Sequence, residues 1–140
     1  MIFASKKAFL ASSYVKIGLT PDAGTTVFLN AGVPRWLAAE LLFTGDKIPA
    51  TRLYDLGVVN HLVDEGETLE AAMAVARRLE AGPASAIMRA KNLLGGAASN
   101  SFDEQLEAEA DNIAQALGGA EAKEGITAFI ERRAPTFPEE

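Results

Sequence analysis

The stretch Tyr14-Val15-Lys16-Ile17-Gly18-Leu19-Thr20-Pro21-Asp22-Ala23-Gly24-Thr25-Thr26 constrains this chain more than any other. Proline locks its own φ and pushes the residue before it toward extended backbone, so an extended segment runs into Pro21. An acid follows in a Pro-Asp-x-Gly corner, and a helical pattern begins just beyond it. An Asp in that place has two jobs available. It can cap the helix by accepting backbone N–H bonds. It can also be a carboxylate at a partly apolar cleft, set to move protons.

The remainder of the chain reads as mostly helical, with short strands at the front. Residues 2–5 read as a strand, 8–15 as an extended segment, and 58–63 as a strand rich in β-branched side chains. Residues 25–42 read as a helical region broken near Gly32-Val33-Pro34, with Pro34 opening the second helix. Within it, Trp36, Leu37, Leu41 and Leu42 recur at three-to-four spacing, and Trp36 is read as a packing residue. Gly45 and Gly57 end the helices before them. Residues 68–79 form an amphipathic helix with Leu69, Met73, Ala76 and Leu79 on one face. Gly82-Pro83 breaks that pattern and starts the next helix. Ser99-Asn100-Ser101 caps the longest helix, whose stripe is Phe102, Leu106, Ile113 and Leu117. Its carboxylates Asp103, Glu104, Glu107 and Glu109 read as a solvated face favoured by the helix dipole rather than as a metal site. Residues 122–132 form the last helix.

Bulk properties narrow the function. A net charge of −6 disfavours binding to a phosphate backbone, so no nucleic-acid partner is expected. The absence of cysteine removes disulfides and thiolate zinc sites and suits a cytoplasmic protein. No apolar run reaches transmembrane length, and the N-terminal lysines follow their short apolar patch, the wrong order for a signal peptide. No Gly-rich phosphate loop occurs. A Ser-His-Asp arrangement would rest entirely on His61, the single histidine, which reads as an edge residue beside a strand.

Ile17-Gly18-Leu19-Thr20-Pro21-Asp22-Ala23-Gly24 resembles the run that enters a helix in the crotonase family, the enoyl-CoA hydratases and isomerases. Leu42-Phe43-Thr44-Gly45 looks like that family's helix end. Ala50-Thr51-Arg52-Leu53-Tyr54-Asp55-Leu56-Gly57-Val58-Val59-Asn60 looks like its A-x-x-A-x-x-x-G-L-V-(N/D) unit. Residues 122–137 look like its C-terminal helix and tail. The resemblance covers the whole chain but only the second half of a crotonase protomer. It implies an α/β fold, the C-terminal part of a crotonase-like spiral: residues 1–67 closing the spiral core with the Asp22 corner, and residues 68–140 a helical trimerisation region. It also implies that the chain begins within a domain.

The resemblance carries a chemistry. Removing a proton beside an unsaturated thioester gives a dienolate whose charge collects on the thioester oxygen, where two backbone N–H donors can hold it. One carboxylate then suffices for isomerisation, taking a proton from one carbon and returning it to another. Hydration usually divides its work between two carboxylates. Family hydratases carry one catalytic Glu at the position of Tyr14; isomerases of the phenylacetate-pathway type place an acid near the Pro-Asp corner. Asp22 is therefore the implied base and acid, with Tyr14, Leu19 and Pro21 shaping an apolar acyl pocket. Phe129 and Arg132 match positions that touch coenzyme A across a subunit boundary. The family's Gly-Gly-Thr is Gly24-Thr25-Thr26 here. Its oxyanion loops precede the position of Met1. The expected partners are an acyl-CoA substrate, with coenzyme A as part of the substrate and no separate cofactor, and further copies of the chain in a trimer or hexamer. Two other readings stand beside isomerisation: hydration with a different base, and a non-catalytic fragment that only associates.

Overall fold

A computed structural model describes residues 1–137. The chain forms two compact units, Met1–Met73 and one beginning at Ala74.

The first unit joins two small sheets through helices. Strand β1 (Phe3–Ser5) pairs in parallel with β4 (His61–Val63), in the register Phe3↔His61, Ala4↔Leu62 and Ser5↔Val63. Parallel pairing needs a crossover, and α1 (Thr25–Gly32), α2 (Arg35–Thr44) and α3 (Ala50–Asp55) lie within it. The Asn60 side chain accepts from the Ile2 N–H at 2.7 Å and closes the end of the pair. His61 stacks on Phe3 at 4.4 Å between ring centroids, the edge position its surroundings predict. Strand β2 (Phe9–Ala11) pairs antiparallel with β3 (Lys47–Pro49), a strand that propensity does not announce.

The core of this unit is Leu29, Val33, Leu37, Ala38, Leu41, Ile48, Leu53 and Val59, with Ile48 only 2% exposed. Helix α1 ends where expected, at Gly32, and Pro34 stands at the N-cap of α2. Gly45 ends α2 with φ +66°, a left-handed conformation in which glycine carries no Cβ penalty.

Three expectations need correction. Trp36 is not packed: it is 84% exposed, because Leu37, Ala38 and Leu41 take the core-facing arc of α2. The extended segment stops at Ala11, and Ser13–Ile17 winds into a 3₁₀ turn closed by Gly18 at φ +73°. Val58 and Val59 precede β4 rather than joining it, because their N–H groups donate to the Leu53 carbonyl at the end of α3.

Helix α4 (Thr68–Glu80) spans the junction of the two units, and none of its residues is buried. The second unit contains α5 (Ala84–Gly96), α6 (Phe102–Leu117) and α7 (Ala120–Glu131). Polar contacts tie these helices together. The Arg89 guanidinium on α5 donates to Asn112 and Gln115 on α6 at 3.2 and 3.0 Å. Glu121 on α7 accepts the Ser85 and Ala86 N–H groups at 2.9 and 3.0 Å, capping α5 from another helix. Ser101 and Glu104 form a capping box on α6, and the accepted hydrogen bonds hold the Glu104 carboxyl below its usual range. The stripe Phe102, Leu106, Ile113 and Leu117 is exposed within the chain.

Candidate active site

The Pro21-Asp22-Ala23-Gly24 corner is built from backbone that few sequences adopt. Ala23 has φ +50° and Gly24 φ +79°, two left-handed residues in succession. For an alanine that conformation costs roughly 1–2 kcal/mol, so the surroundings must hold it. The Thr25 N–H and hydroxyl both donate to the Asp22 carbonyl, at 3.0 and 2.7 Å, and fasten the turn. The Thr25 side chain is thereby committed to the corner.

Asp22 does not cap the helix. The N-cap of α1 is Gly24, and no side-chain oxygen accepts from the first turn. Instead the Asp22 carboxylate accepts the Tyr14 phenol O–H at 2.6 Å. This hydrogen bond, and then the negative charge of Asp22, push the Tyr14 phenol above the usual tyrosine range. The phenol therefore remains a donor at neutral pH. The 3₁₀ turn Ser13–Ile17 brings Tyr14 round to Asp22, and the Leu19 N–H donates to the Tyr14 carbonyl at 3.0 Å to lock that turn.

Tyr14, Ala23 and Thr25 line a cavity of about 680 Å³, together with Leu10, Ser12 and Phe28 among others. Asp22 lies at its edge, exposed to solvent, held to one lining residue and adjacent in sequence to another. Leu19 and Pro21 do not line the cavity; Leu19 is exposed and Pro21 half-buried. Ser12 was not singled out by its sequence. It is buried, and its hydroxyl has no hydrogen-bond partner among the described residues. No residue-level signal marks a serine of this kind, because its isolation follows from the fold around it.

In the second unit, Phe129 lies on α7 with 85% of its surface exposed. Packing within the helix is therefore not its role in this chain. Arg132 ends α7 at φ +55° with its side chain exposed. Two acids near that helix end are taken by Arg133, which pairs with Glu124 and Glu131 at 2.7 Å each.

A family model described as enoyl-CoA hydratase/isomerase matches residues 1–140. The 1,2-epoxyphenylacetyl-CoA isomerase of Escherichia coli K12 is 29% identical over 137 residues, which is 98% of this chain and 52% of that protein. The crotonyl-CoA hydratase of Syntrophomonas wolfei is 30% identical over 96% of this chain and 52% of its own length. Among solved structures, an enoyl-CoA hydratase from Polaromonas sp. JS666 superposes with a TM-score of 0.93 at 37% identity, covering 99% of this chain and 54% of that one. The chain thus spans about half the length of the curated relatives it matches. Its fold is part of a crotonase-like spiral, mostly helical with short strands. With the whole of its sequence matched by one family model and its fold shared with that family's solved structures, the chain belongs to the enoyl-CoA hydratase/isomerase family.

Proposed function

We propose that this chain supplies the acid–base group of an enoyl-CoA isomerase, with Asp22 as that group. With a 3-enoyl-CoA thioester, the Asp22 carboxylate takes a proton from C2. The electron pair delocalises through the double bond and onto the thioester oxygen. The carboxylic acid then returns the proton to C4, giving the 2-enoyl ester. The carboxylate ends as it began, so the reaction needs no second acid. Oxyanion stabilisation falls to backbone donors in the part of the family fold that this chain does not span.

The observation that carries the reading is the state of Asp22. Its carboxylate serves no helix end and stands beside an apolar cavity, bonded only to a phenol among the described residues. Tyr14 fills the position at which the resemblance puts the hydratases' glutamate, which favours isomerisation over hydration. Tyr14, which lines the cavity, is proposed to bound the acyl group. Phe129 and Arg132 are proposed to meet coenzyme A, Arg132 through a phosphate. Ring-bearing acyl-CoA esters of the phenylacetate-pathway type are the favoured substrates, and the similarity to an epoxyphenylacetyl-CoA isomerase supports that choice.

The test is isomerisation of 3-enoyl-CoA thioesters by the wild-type protein and Asp22→Asn. Losing a positioned general base should lower kcat by about 10²- to 10⁴-fold. Equal, non-zero rates would remove Asp22 from the mechanism and favour hydration chemistry with another base. No turnover in either protein would favour a non-catalytic, associating chain, a reading supported by the exposed stripe on α6. We also propose a cytoplasmic homo-oligomer, a trimer or hexamer, in which that stripe is covered.

A further inference from the structure

We infer that Tyr14 is the positioning residue of Asp22, its phenol holding one carboxylate oxygen so that the other is presented toward the cavity. This rests on the isomerase reading of Asp22 and adds to it a role for a residue that the resemblance treats as pocket wall. Three observations lead to it. Asp22 is exposed on a turn, and its side chain makes no other hydrogen bond among the described residues. An aspartate in that setting loses its orientation to rotation about two torsions unless something fixes it. Tyr14 is half-buried, lines the cavity, and reaches Oδ1 at 2.6 Å from a 3₁₀ turn that is itself pinned at the Tyr14 carbonyl. The phenol thus has the anchorage that the carboxylate lacks.

The geometry also separates the two residues' duties. A base that must take a proton from one carbon and deliver it to another needs a fixed pivot and a free oxygen. Donation to Oδ1 leaves Oδ2 for substrate. Because the pairing raises the phenol above its usual range, Tyr14 keeps its proton under assay conditions and remains a donor throughout the cycle. It neither gains nor loses a proton in the reaction.

The sequence makes a direct test possible, since it contains two tyrosines, Tyr14 and Tyr54. In a Tyr54→Phe background the phenolate absorbance reports Tyr14 alone. Tyr14 should titrate above the ordinary tyrosine range, and adding Asp22→Asn should bring it down. Titration at the ordinary value with no response to Asp22→Asn overturns the pairing, whatever the chain's turnover. The kinetic arm uses Tyr14→Phe, which keeps the ring and removes the donor. It should lower kcat by roughly 10- to 100-fold, the scale of a misplaced reacting group, with KM nearly unchanged. A purely structural tyrosine would instead raise KM or lower the melting temperature. Full kcat in Tyr14→Phe together with loss of activity in Asp22→Asn overturns the positioning role and leaves the isomerase reading standing. Full activity in Asp22→Asn removes the isomerase reading itself.

Discussion

Substituting Gly45 by alanine tests whether the end of α2 supports the turn that carries Tyr14. Gly45 and Gly57 make a matched pair, because both are left-handed, at φ +66° and +76°. They differ in their surroundings. A Cβ on Gly57 would meet nothing within 4 Å, whereas one on Gly45 would lie 3.1 Å from Lys16 Cε and 3.2 Å from both Lys16 Cγ and Val15 Cγ1. The shared backbone cost for alanine is about 1–2 kcal/mol, offset by roughly 0.4–1 kcal/mol from the stiffer unfolded chain. Gly57→Ala should therefore cost about 1 kcal/mol. At Gly45 the exposed Lys16 chain can swing aside and give up its surface ion pair with Asp46, which contributes little. Val15 cannot yield so easily: its γ-methyl must leave its rotamer, at roughly 0.5–1.5 kcal/mol, or the 3₁₀ turn must shift. Gly45→Ala should then cost about 2 kcal/mol in urea unfolding. Gly45→Asn, better tolerated at positive φ, should cost less than Gly45→Ala. Equal losses for Gly45→Ala and Gly57→Ala would show that α2 does not press on the Val15–Lys16 turn, and the packing argument for Tyr14's placement would fail.

Two other outcomes can be measured on the same protein. The Arg133 guanidinium, and then the Thr136 N–H, hold the Glu124 carboxyl down to about 2. Its folded value lies below the ordinary 4.5, so its stabilising share is complete above 4.5 and is lost as pH falls through about 2. Glu124→Gln should flatten that part of the acid slope in denaturant midpoints taken at successive pH values, and an unchanged slope would refute the coupling. For association, light scattering at micromolar concentration should give a mass several times that of the chain, and a clean monomer would refute the homo-oligomer.

The stops and caps of this chain are written in single residues and could be read directly. Gly45 and Gly57 end their helices, and Ser101 with Glu104 builds the box that starts α6. Features set by distant partners could not be read this way. Strand β3 is three residues beside a helix start, and it exists because Phe9–Ala11 lies against it. Periodicity put Trp36 on the packed face of α2, and the structure turns it away from the core, because three-to-four spacing does not tell which arc of an apolar helix is covered. Trp36 and Phe43 are seven residues apart, two turns on one face, and both are exposed. The corner at Asp22 was legible as a corner, and the acid as a candidate. Its bond to Tyr14 was not, because an extended reading of residues 8–15 hides the 3₁₀ turn that swings the phenol round.

The exposed apolar residues and the proposed chemistry make the same demand. Taking a proton from carbon requires a carboxylate that acts in an enclosed site, where water does not compete for it and oxyanion donors work at low dielectric. Asp22 in this chain faces solvent, and Phe28 on the cavity wall is largely uncovered. A sixteen-residue helix with an apolar stripe gains most of its stability from burying that stripe, yet Phe102, Leu106, Ile113 and Leu117 are exposed along α6. The proposed base and the α6 stripe are thus both uncovered among the described residues. If the chain is catalytic, turnover and assembly must appear together. A dilution series that separates the chains should extinguish isomerisation at the concentration where the scattering mass falls, and activity that persists in the dissociated chain would break the link.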